Sequence, residues 1–380
     1  MRAEKRRMIS ILYVSPFSHI GGGELSILTV INNLDKARFS SSLICYEDGL
    51  FVERVKGLGI KVAVFRRAGF FSEIFIVRNL VHYIKKNGIA LVHVNSLDIR
   101  AGIAARLAGV PCIGHLRVAF PFTWRDHLFV RMSSATIAVS RFVVDEFCKE
   151  AQSCRTKFIV MPNMVDVPPE VRPAPLRTEF AIPADAPMVG MAGRMGLFKG
   201  HGVFIDAAVI IKKSFPAARF FIIGAPDPGN RDEEAYLEAQ KERVKTSGLS
   251  DSVIFTGFRK DALETIAALD VMVVPSLVIR KGSDIVTEGF GRVAIEAMAV
   301  GVPVVSSDAG GLKEIVENGV SGLLVKTDDP AATAAAVIGL LQDPGKANAI
   351  RASEKKIFDV LYSLKSMAAV ENLYDRILRK

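Results

Sequence analysis

Two cations and a group of glycines follow one apolar run near the middle of the chain. Arg194 and Lys199 lie five residues apart in the sequence GMAGRMGLFKG, directly after the strand pattern Met188–Ala192. An arginine fork and a lysine point charge both bind phosphate oxygens, and glycines such as Gly193 let the backbone approach a ligand closely. The pattern therefore predicts a diphosphate site, with a pair of solvated surface cations as the alternative.

Two carboxylates flank a second group of glycines. Glu288 and Glu296 stand eight positions apart in the sequence EGFGRVAIE. The apolar pattern Val293–Met298 predicts a helix that begins near Gly291, and the unpaired N–H groups of a helix N-terminus favour an anion. Burying an unpaired carboxylate is costly. Glu296 should therefore bind a ligand hydroxyl or a cation, and a salt bridge to a neighbouring arginine is the alternative.

A third glycine motif lies near the start of the chain. Gly22 and Gly23 belong to the sequence GGGE, between the strand pattern Met8–Val14 and the helical pattern Leu25–Leu34. This arrangement brings backbone N–H groups toward an anionic ligand, although a tight turn needs glycine for its geometry alone. The spacing of a dinucleotide fingerprint is absent, because Ser26 stands where its third glycine belongs. The motif predicts a phosphate contact, with a plain turn as the alternative.

The elements that must position these residues alternate along the chain. Short β-branched runs predict strands near Met8–Val14, Ser42–Tyr46, Lys61–Phe65, Ala90–Asn95, Cys112–Leu116, Thr136–Val139, Lys157–Val160, Met188–Ala192, Arg219–Ile223, Ser252–Phe255, Val271–Val274, Pro303–Ser306 and Gly322–Val325. Helical patterns separate them. Seven of the 17 prolines crowd the stretch between Pro162 and Pro187, which predicts an interdomain linker. The sequence thus predicts an α/β protein with two doubly wound domains, residues 1–175 and 176–380, that ends in helices.

Charge is distributed unequally between the two halves. Residues 1–170 contain 23 Lys and Arg against 14 Asp and Glu, whereas residues 171–380 contain 26 of each. The whole net charge of +9 therefore lies in the first half. Such an excess predicts that the first domain meets an anionic lipid surface, a phosphorylated acceptor or nucleic acid. Nucleic acid is the weakest of these, because no recognition motif accompanies the charge.

Cysteines and carboxylates give no metal-binding pattern. The four cysteines, which are Cys45, Cys112, Cys148 and Cys154, are scattered without a C-x-x-C pair or the histidine spacing of a zinc site. We expect reduced, structural thiols in a cytoplasmic protein. No D-x-D occurs, so no metal site is predicted. No apolar stretch is long enough to span a bilayer, and any membrane contact is expected to be peripheral.

In combination, these motifs resemble those of a known enzyme family. The series G-R-x-x-x-K-G, E-x7-E around Gly-Phe-Gly, Ala-x-Gly-x-Pro-Val-Val-x-Ser and Ala-Gly-Gly is similar to the retaining glycosyltransferases of family four, also described as glycosyl transferases group one. The resemblance covers essentially the whole chain. It implies the GT-B fold, in which two Rossmann-like domains face each other across a cleft. The first domain would bind the acceptor and the second the nucleotide sugar, and the last helix often packs back on the first domain.

The resemblance implies roles for the charged residues. Arg194 and Lys199 match the cations that bind the donor's diphosphate and stabilise it as it departs. Glu296 matches the carboxylate that holds the ribose hydroxyls, and Glu288 the carboxylate near the donor sugar. His115, near the end of a predicted strand, matches a histidine that faces the sugar across the cleft. A histidine satisfied at a strand end is the alternative for His115.

Backbone groups are implied at the nucleotide as well. The resemblance places them at the turn with Phe258 and Arg259, which would meet the base, and at Gly291, Arg292 and Val293, which would meet the phosphates. These positions add to Gly22, Gly23 and Gly193, which the glycine patterns indicate. Two further positions carry weaker expectations. His93 ends another strand, where a structural role is the main alternative, and Asn163 is expected at a structural hinge.

The implied reaction moves a sugar from a nucleotide-diphosphate sugar, which is a co-substrate and not a bound cofactor, with retention and without a metal. The acceptor would be a glycan, a lipid-linked molecule or a phosphorylated molecule, in cell-surface polysaccharide or glycolipid synthesis. A nucleotide-sugar epimerase, a phosphorylase of similar shape or a non-enzymatic nucleotide-sugar-binding protein are the alternatives. The glycine spacing typical of an NAD-dependent dehydrogenase is absent from this sequence, which argues against that function.

The segment Leu277–Thr287 departs from the family pattern. It is longer than the connection usual in the family and is expected to influence donor choice.

Large apolar side chains accompany cations in Arg66–Phe71 with Ile74 and Phe75, and again in Phe120–Arg125. Such pairing is typical of segments at a membrane interface. We expect peripheral contact with the inner face of the membrane, with buried core faces as the alternative.

Overall fold

A computed structural model describes residues 8–66, 72–282 and 284–379 of the chain. These residues form two compact units. The first contains the described residues up to Arg117, Pro121–Met164 and the residues from Leu364 onward, and the second contains Val118–Phe120 and Val165–Ser363. Of the predicted membrane segments, Arg67 to Phe71 lie outside the described residues.

The first unit is built on a parallel sheet covered by helices. Its strands are β1 (Ile9–Ser15), β2 (Phe39–Cys45), β3 (Lys61–Val64), β4 (Leu91–Val94), β5 (Cys112–Leu116), β6 (Ala135–Ala138) and β7 (Phe158–Val160). Its helices are α1 (Gly22–Asn33), α2 (Leu50–Gly57), α3 (Ser72–Lys86), α4 (Ile99–Ala108), α5 (Trp124–Met132), α6 (Arg141–Cys148) and, at the end of the chain, α14 (Met367–Leu378). The strand order is β3-β2-β1-β4-β5-β6-β7, which reverses direction between β1 and β4.

Burial of both faces explains why this sheet is apolar along its length. In β1, the side chains from Ile11 to Val14 are fully buried. The last helix, α14, completes the core on one side of the sheet through Met367, Val370, Leu373 and Tyr374. Arg38 ties the solvent side of that helix to the unit by ion pairs to Glu371 at 3.0 Å and Asp375 at 2.7 Å.

The second unit repeats the design. Its strands are β8 (Met188–Ala192), β9 (Arg219–Ile223), β10 (Val253–Gly257), β11 (Val271–Val274), β12 (Ile279–Lys281), β13 (Asp284–Val286), β14 (Val304–Ser307) and β15 (Leu323–Val325). Its helices are α7 (Leu176–Glu179), α8 (His201–Ser214), α9 (Arg231–Thr246), α10 (Ala262–Ala267), α11 (Arg292–Ala299), α12 (Pro330–Gln342) and α13 (Pro344–Ile357). Six strands form a parallel sheet in the order β10-β9-β8-β11-β14-β15. The reversal between β8 and β11 marks the point where open α/β sheets bind ligands.

The predicted fold class is confirmed, because each half of the chain forms a doubly wound parallel sheet. The sequence prediction missed the antiparallel hairpin of β12 and β13, which occupies the segment Leu277–Thr287. Its strands have three residues each, too short to show a hydrophobic period.

The proline-rich stretch lies against the second unit. The chain enters that unit at Val165, and the Ala174 N–H donates to the carbonyl of Glu264 at 2.8 Å. Leu176 is fully buried there. Prolines suit this surface path because it makes few ladder hydrogen bonds. Within the described residues, no helix combines the length and the apolar character needed to cross a membrane.

Candidate active site

The carboxyl ends of β9, β8, β11 and β14 lie side by side in the second sheet. Parallel strands bring the loops that follow them to one edge, so four loops share this edge of the sheet. The loop after β8 carries Arg194 and Lys199, the loop after β9 carries Asp227, and the loop after β11 carries Glu288. Arg194, Lys199 and Glu288 therefore lie in loops at the same edge of the sheet, around the topological switch point.

Lys199 and Glu288 are in direct contact. The Lys199 Nζ lies 2.6 Å from the Glu288 Oε2, and both side chains are largely buried. The pair is separated by 89 positions in sequence, so the sheet topology brings it together. A buried ion pair costs desolvation on both sides and is retained where its geometry is good or where it serves a function. The pair presents a fixed cation and a fixed carboxylate next to each other.

Glycine holds the lysine loop against its neighbour. Gly200 has a positive φ of 75° and ends the short 3-10 turn of Leu197–Lys199. A Cβ built at Gly200 would lie 1.9 Å from the carbonyl oxygen of Pro275. Any side chain here would push the lysine loop away from the loop that carries Glu288. The same contact is reinforced by the Leu277 N–H, which donates to the carbonyl of Phe198 at 2.7 Å.

Arg194 is held by carboxylates of its own. Its guanidinium contacts Asp227 at 2.8 Å and Glu233 at 3.1 Å, and its side chain is 42% exposed. Glu233 also accepts a hydrogen bond from the Asp227 N–H at 2.8 Å, which fixes the loop after β9. The structure thus orients Arg194 through two acidic partners. These partners were not predicted from the sequence, although Asp227 follows a strand end and so stood in a position typical of ligand-binding loops.

The backbone of Glu288 is clamped by the Ala-Gly-Gly motif. Gly311 donates its N–H to the Glu288 carbonyl at 2.9 Å. A Cβ at Gly310, whose φ is 52°, would lie 2.1 Å from the Glu288 carbonyl oxygen, and one at Gly311 would lie 2.2 Å from that of Gly289. Only glycine allows this approach. The sequence analysis used this motif for the family resemblance, and the structure supplies its physical role.

Helix α11 begins where the sequence predicted. Gly291 caps it with a positive φ of 103°, and a Cβ there would lie 2.3 Å from Leu312. The backbone of Arg292 and Val293 therefore forms the first turn of the helix, directly after the loop that contains Glu288. Such an N-terminus favours an anion through its unsatisfied N–H groups and its dipole.

Glu296 forms a salt bridge instead of remaining an unpaired buried carboxylate. Its Oε1 lies 2.7 Å from the Arg292 Nε, one helical turn earlier, and its side chain is 20% exposed. The alternative considered from the sequence, a salt bridge to a neighbouring arginine, is therefore present. The argument from burial cost loses its force for Glu296, because the charge is both paired and partly hydrated.

The two residues predicted in the turn after β10, Phe258 and Arg259, differ in how their side chains are placed. Phe258 is well exposed, and it follows Gly257, which has a φ of 68°. The Arg259 guanidinium is instead bound by Glu179 at 2.7 Å and Asp261 at 2.8 Å. Hydrogen bonds to these carboxylates raise the pKa of Arg259. Its side chain is therefore committed to an ion cluster, and its backbone remains the part suited to a ligand.

In the first unit, the glycine motif opens helix α1. The helix starts at Gly22, and the Gly21 N–H donates to the Glu24 carboxylate at 3.2 Å. A Cβ at Gly23 would lie 3.3 Å from the Cδ of Arg117. Gly23 thus borders the arginine that contacts His115.

His115 belongs to a chain of buried polar side chains. Its Nδ1 lies 2.9 Å from the Arg117 Nη2 and 3.2 Å from the His93 Nε2. The His93 Nδ1 lies 2.6 Å from the Tyr374 hydroxyl, which is 3.2 Å from the Tyr13 hydroxyl. Burial, with a smaller effect of Arg117, lowers the pKa of His93 to about 3 and that of His115 well below its usual value. Both histidines are neutral at physiological pH.

Arg117 is in turn fixed by two amides. Its Nε donates to the Asn95 Oδ1 at 2.9 Å and its Nη1 to the Asn163 Oδ1 at 2.5 Å. Asn163, expected only at a hinge, thus supports the His115 group. The contribution of Tyr374 could not be read from the sequence, because it lies 281 positions from His93.

All four cysteines are buried thiols without a disulfide in the described residues.

The hairpin that was not predicted is held at its base by two hydroxyl groups. The Thr287 hydroxyl donates to the Leu277 carbonyl at 2.7 Å, and the Ser307 hydroxyl donates to the Ser276 carbonyl at 2.6 Å. The hairpin is therefore anchored directly beside Glu288.

Comparison with known families covers most of the chain. The sequence profile described as Glycosyl transferases group 1 matches residues 175–357, and the profile described as Glycosyltransferase Family 4 matches residues 20–168. D-inositol 3-phosphate glycosyltransferase from Corynebacterium urealyticum is 35% identical over 171 residues, which cover 44% of this chain and 38% of that protein. The chain thus matches well under half the length of that relative.

Two further proteins match along nearly the whole chain. UDP-Gal:alpha-D-GlcNAc-diphosphoundecaprenol alpha-1,3-galactosyltransferase from Escherichia coli is 24% identical, with 98% of each chain covered. The crystal structure of Anabaena HepE in complex with UDP-glucose is similar with a TM-score of 0.83 and 25% identity, covering 97% of this chain and 100% of that one.

Proposed function

We propose that this chain transfers a sugar from a nucleotide-diphosphate sugar to an acceptor hydroxyl. The chain belongs to the glycosyltransferases of family 4 and has the GT-B fold, which supports this proposal. The observation that carries the proposal is the contact between Lys199 and Glu288 at 2.6 Å, at the switch point of the second sheet. One member suits a diphosphate and the other suits the hydroxyls of a sugar. A single site with both chemistries fits a nucleotide sugar.

In the proposed mechanism, charge stabilisation does most of the work. Arg194, Lys199 and the N-terminus of α11 would stabilise the negative charge that develops on the departing diphosphate. We infer transfer without a metal, because these groups already supply positive charge where it is needed. The configuration at the anomeric carbon would be retained, as the family resemblance implies, with the acceptor attacking the face from which the diphosphate leaves.

The remaining predicted residues would hold the two ends of the donor. Glu296 would accept hydrogen bonds from the ribose hydroxyls in place of part of its contact with Arg292. The backbone around Phe258 and Arg259 would meet the base, and Gly193 would admit the diphosphate. His115, which is neutral, would donate a hydrogen bond to a sugar hydroxyl and would not act as a general acid.

The donor is proposed to carry UDP, because Anabaena HepE was solved with UDP-glucose and the E. coli relative is named for UDP-Gal. The β12–β13 hairpin, anchored beside Glu288, would influence which sugar is accepted. Replacing Ile279–Val286 with two glycines should change the preference between UDP-glucose and UDP-galactose about tenfold, the size of one or two lost contacts. An unchanged ratio would remove the hairpin from this role.

The acceptor is proposed to be a glycan, a lipid-linked molecule or a phosphorylated molecule. The relatives support this range, since one is named for inositol 3-phosphate and another for a diphosphoundecaprenol-linked sugar. The first half of the chain carries the whole net charge of +9, which suits an acceptor with phosphate groups. Synthesis of cell-surface polysaccharide or glycolipid would use such a reaction.

Peripheral contact with an anionic membrane from the cytoplasmic side is part of this proposal. Ile74, Phe75 and Trp124 are all more than half exposed, which supports an interfacial role over a core role for these side chains. Arg78 and Arg125 lie in the same helices and would face lipid phosphates.

A transfer assay with purified chain tests the activity. Substituting Lys199→Ala should lower transfer about 100- to 1,000-fold, as loss of one group that stabilises the departing charge typically does. Glu296→Ala should mainly raise the KM for the donor. Lys241→Ala is a matched control, because Lys241 forms an ion pair with Glu238 at 2.7 Å on the surface of α9. Near-normal activity of both site variants would contradict the site.

The same assay separates the alternative functions. An epimerase changes the donor without any acceptor, a phosphorylase needs inorganic phosphate, and a binding protein changes nothing. Product that forms only when a glycan or lipid-linked acceptor is added supports transfer.

Sedimentation with vesicles tests the membrane contact. The chain should co-sediment with phosphatidylglycerol vesicles at low salt, and Ile74→Ser should weaken this binding. Val360→Ser is the control, since Val360 is 64% exposed against 66% for Ile74 but lies in the second unit. Equal loss in both variants, or no binding by the unaltered chain, would contradict the membrane proposal.

A further inference from the structure

The buried polar chain in the first unit has one permanent donor. Arginine carries five N–H donors and no acceptor, and it stays charged in proteins. The Arg117 Nη2, at 2.9 Å, must therefore donate to the His115 Nδ1. Because that nitrogen accepts, the proton of the neutral His115 ring belongs on Nε2.

The same reasoning assigns the remaining protons. With the His115 Nδ1 as acceptor, the His93 Nε2 at 3.2 Å must donate to it. The His93 Nδ1 is then an acceptor, and the Tyr374 hydroxyl at 2.6 Å donates to it. The Tyr374 oxygen can accept from the Tyr13 hydroxyl at 3.2 Å. Every hydrogen bond in the series thus points toward the His115 Nδ1.

Because the His115 Nδ1 accepts, the N–H donor of the His115 ring is at Nε2, at the end of this series of hydrogen bonds. The His115 Nε2 is fully buried and has no hydrogen-bond partner within the described part of the chain. His115 itself is only 5% exposed. A buried N–H without a partner is costly, and such groups are retained where they contact a ligand.

We propose that Tyr374, His93 and Arg117 are positioning residues that hold His115 in its Nε2-protonated form, so that its Nε2–H is kept as a donor for a ligand. Helix α14 thereby supports His115 through Tyr374, which acts on the His115 ring through His93. The expected effect on catalysis rests on the proposed role of His115 in sugar transfer. The assignment of the His115 tautomer is independent of that role.

The arrangement explains why a tyrosine is needed at this position of α14. A phenylalanine would keep the edge contact with Phe39, whose ring centre lies 5.9 Å from that of Tyr374, but would leave the His93 Nδ1 without a donor. His93 could then carry its proton on Nδ1, and its Nε2 would face the His115 Nδ1 with two lone pairs opposed. His115 would lose part of the support for its tautomer.

Nitrogen NMR on the full chain labelled with 15N-histidine tests the tautomer directly. The chain has six histidines, few enough to assign by single substitutions. In the unaltered protein, His115 and His93 should both show a protonated, pyrrole-type Nε2 and a pyridine-type Nδ1. In Tyr374→Phe the His93 ring should show mixed tautomers, whereas His115 should keep mainly its Nε2 proton, because Arg117 still donates to its Nδ1. A pyridine-type Nε2 at His115 in the unaltered protein, or unchanged shifts in Tyr374→Phe, would overturn the proposal.

Kinetics supply the second readout. In Tyr374→Phe, kcat should fall about five- to tenfold, the rate equivalent of one neutral hydrogen bond, with little change in the KM for the donor. Asp375→Asn is the control, because Asp375 is next in sequence and anchors the same helix through Arg38 at 2.7 Å. It should keep both the tautomers and kcat. An equal loss in Asp375→Asn would assign the effect to helix docking and reject the positioning role.

The two readouts separate this inference from the proposed function. If the unaltered chain transfers no sugar while the tautomers change as expected, the function fails and the hydrogen-bond assignment stands. If transfer is normal and neither readout responds to Tyr374→Phe, the inference fails and the function stands.

Discussion

At the scale of single residues, the cations predicted to bind a diphosphate already have carboxylate partners. Lys199 contacts Glu288, and Arg194 contacts Asp227 and Glu233. Arg292, which was predicted for its backbone N–H group, contacts Glu296 through its side chain. Such pairs orient long side chains that would otherwise lose considerable freedom on binding a ligand. At the proposed site, a diphosphate would compete with these carboxylates and would exchange one set of charge pairs for another. The design favours orientation over maximum positive charge.

Glycine at position 310 should be essential for the position of Glu288. In Gly310→Ala the new Cβ would contact the Glu288 carbonyl oxygen from a residue with a φ of 52°. Overpacking together with the left-handed conformation should cost about 2 to 4 kcal/mol of unfolding free energy. Transfer should fall at least about tenfold because the carboxylate moves. Urea unfolding and the transfer assay measure the two effects.

Gly319→Ala is the matched control for this substitution. Gly319 has a φ of 78°, but nothing lies within 4 Å of a Cβ built there. It should lose only about 1 kcal/mol from backbone strain and keep its activity. If Gly310→Ala behaved like Gly319→Ala, the clamp on Glu288 would be refuted.

At the scale of elements, helix α13 is attached to the sheet through a buried acid. The Glu354 Oε1 accepts a hydrogen bond from the N–H of Val304, the first residue of β14, at 3.0 Å. Burial, only partly opposed by this hydrogen bond, raises the pKa of Glu354 to about 7. The carboxyl is therefore protonated over much of the range in which an ordinary glutamate is charged.

This shift makes stability depend on pH in a defined direction. The carboxyl loses its proton near pH 4.5 in the unfolded chain and near pH 7 in the folded protein. Between these values the folded state binds more protons, so its stability falls as the pH rises. Glu354→Gln keeps the acceptor for Val304 and removes the titration. The difference in unfolding free energy between Glu354→Gln and the unaltered chain should be about 1 to 3 kcal/mol more favourable to the variant at pH 8 than at pH 5.

Urea unfolding at the two pH values measures this difference. Glu314→Gln can serve as a reference, since Glu314 lies in the same unit and is exposed. A gain for Glu354→Gln that is equal at pH 5 and pH 8 would contradict the raised pKa.

At the scale of the whole molecule, the chain completes its first unit with its last helix. Met367, Val370, Leu373 and Tyr374 of α14 are buried in the same core as β1 and β4. Two parts of the unit are therefore joined only after the entire second unit has been synthesised. The first unit cannot close its core from its N-terminal residues alone.

Deleting residues 364–380 should therefore prevent the first unit from folding. Four buried side chains at about 1.5 to 3 kcal/mol each add up to about 6 to 12 kcal/mol, similar to the whole stability of a typical domain. The truncated chain should be cleaved throughout its first unit in limited proteolysis, and the second unit should persist. Resistance equal to that of the full chain would contradict this dependence.

A milder pair of substitutions checks the same point without truncation. Leu373→Ala should cost about 2 to 5 kcal/mol, because it removes a buried side chain. Leu361→Ala, at a side chain that is 48% exposed, should cost much less. Similar losses would argue against burial of α14 as the cause.

The sequence by itself determined the strands of both sheets and the glycine turns that lead into the predicted site. Strands buried on both faces leave continuous apolar runs, so β5, β8, β9 and β11 have the ends that were predicted from the sequence. The start of α11 after Gly291 followed from the same local signals. Glycines at tight approaches and charged residues at strand ends also identified the loops that carry Lys199 and Glu288.

Only the tertiary structure decided which side chains meet. The acidic partners of Arg194 and the short hairpin beside Glu288 depend on rotamers and loop packing that no periodicity encodes. The contact between Tyr374 and His93 joins residues 281 positions apart, and it exists because α14 returns to the first sheet. Local patterns report what each segment buries, whereas partners across the fold depend on how those buried faces pack together.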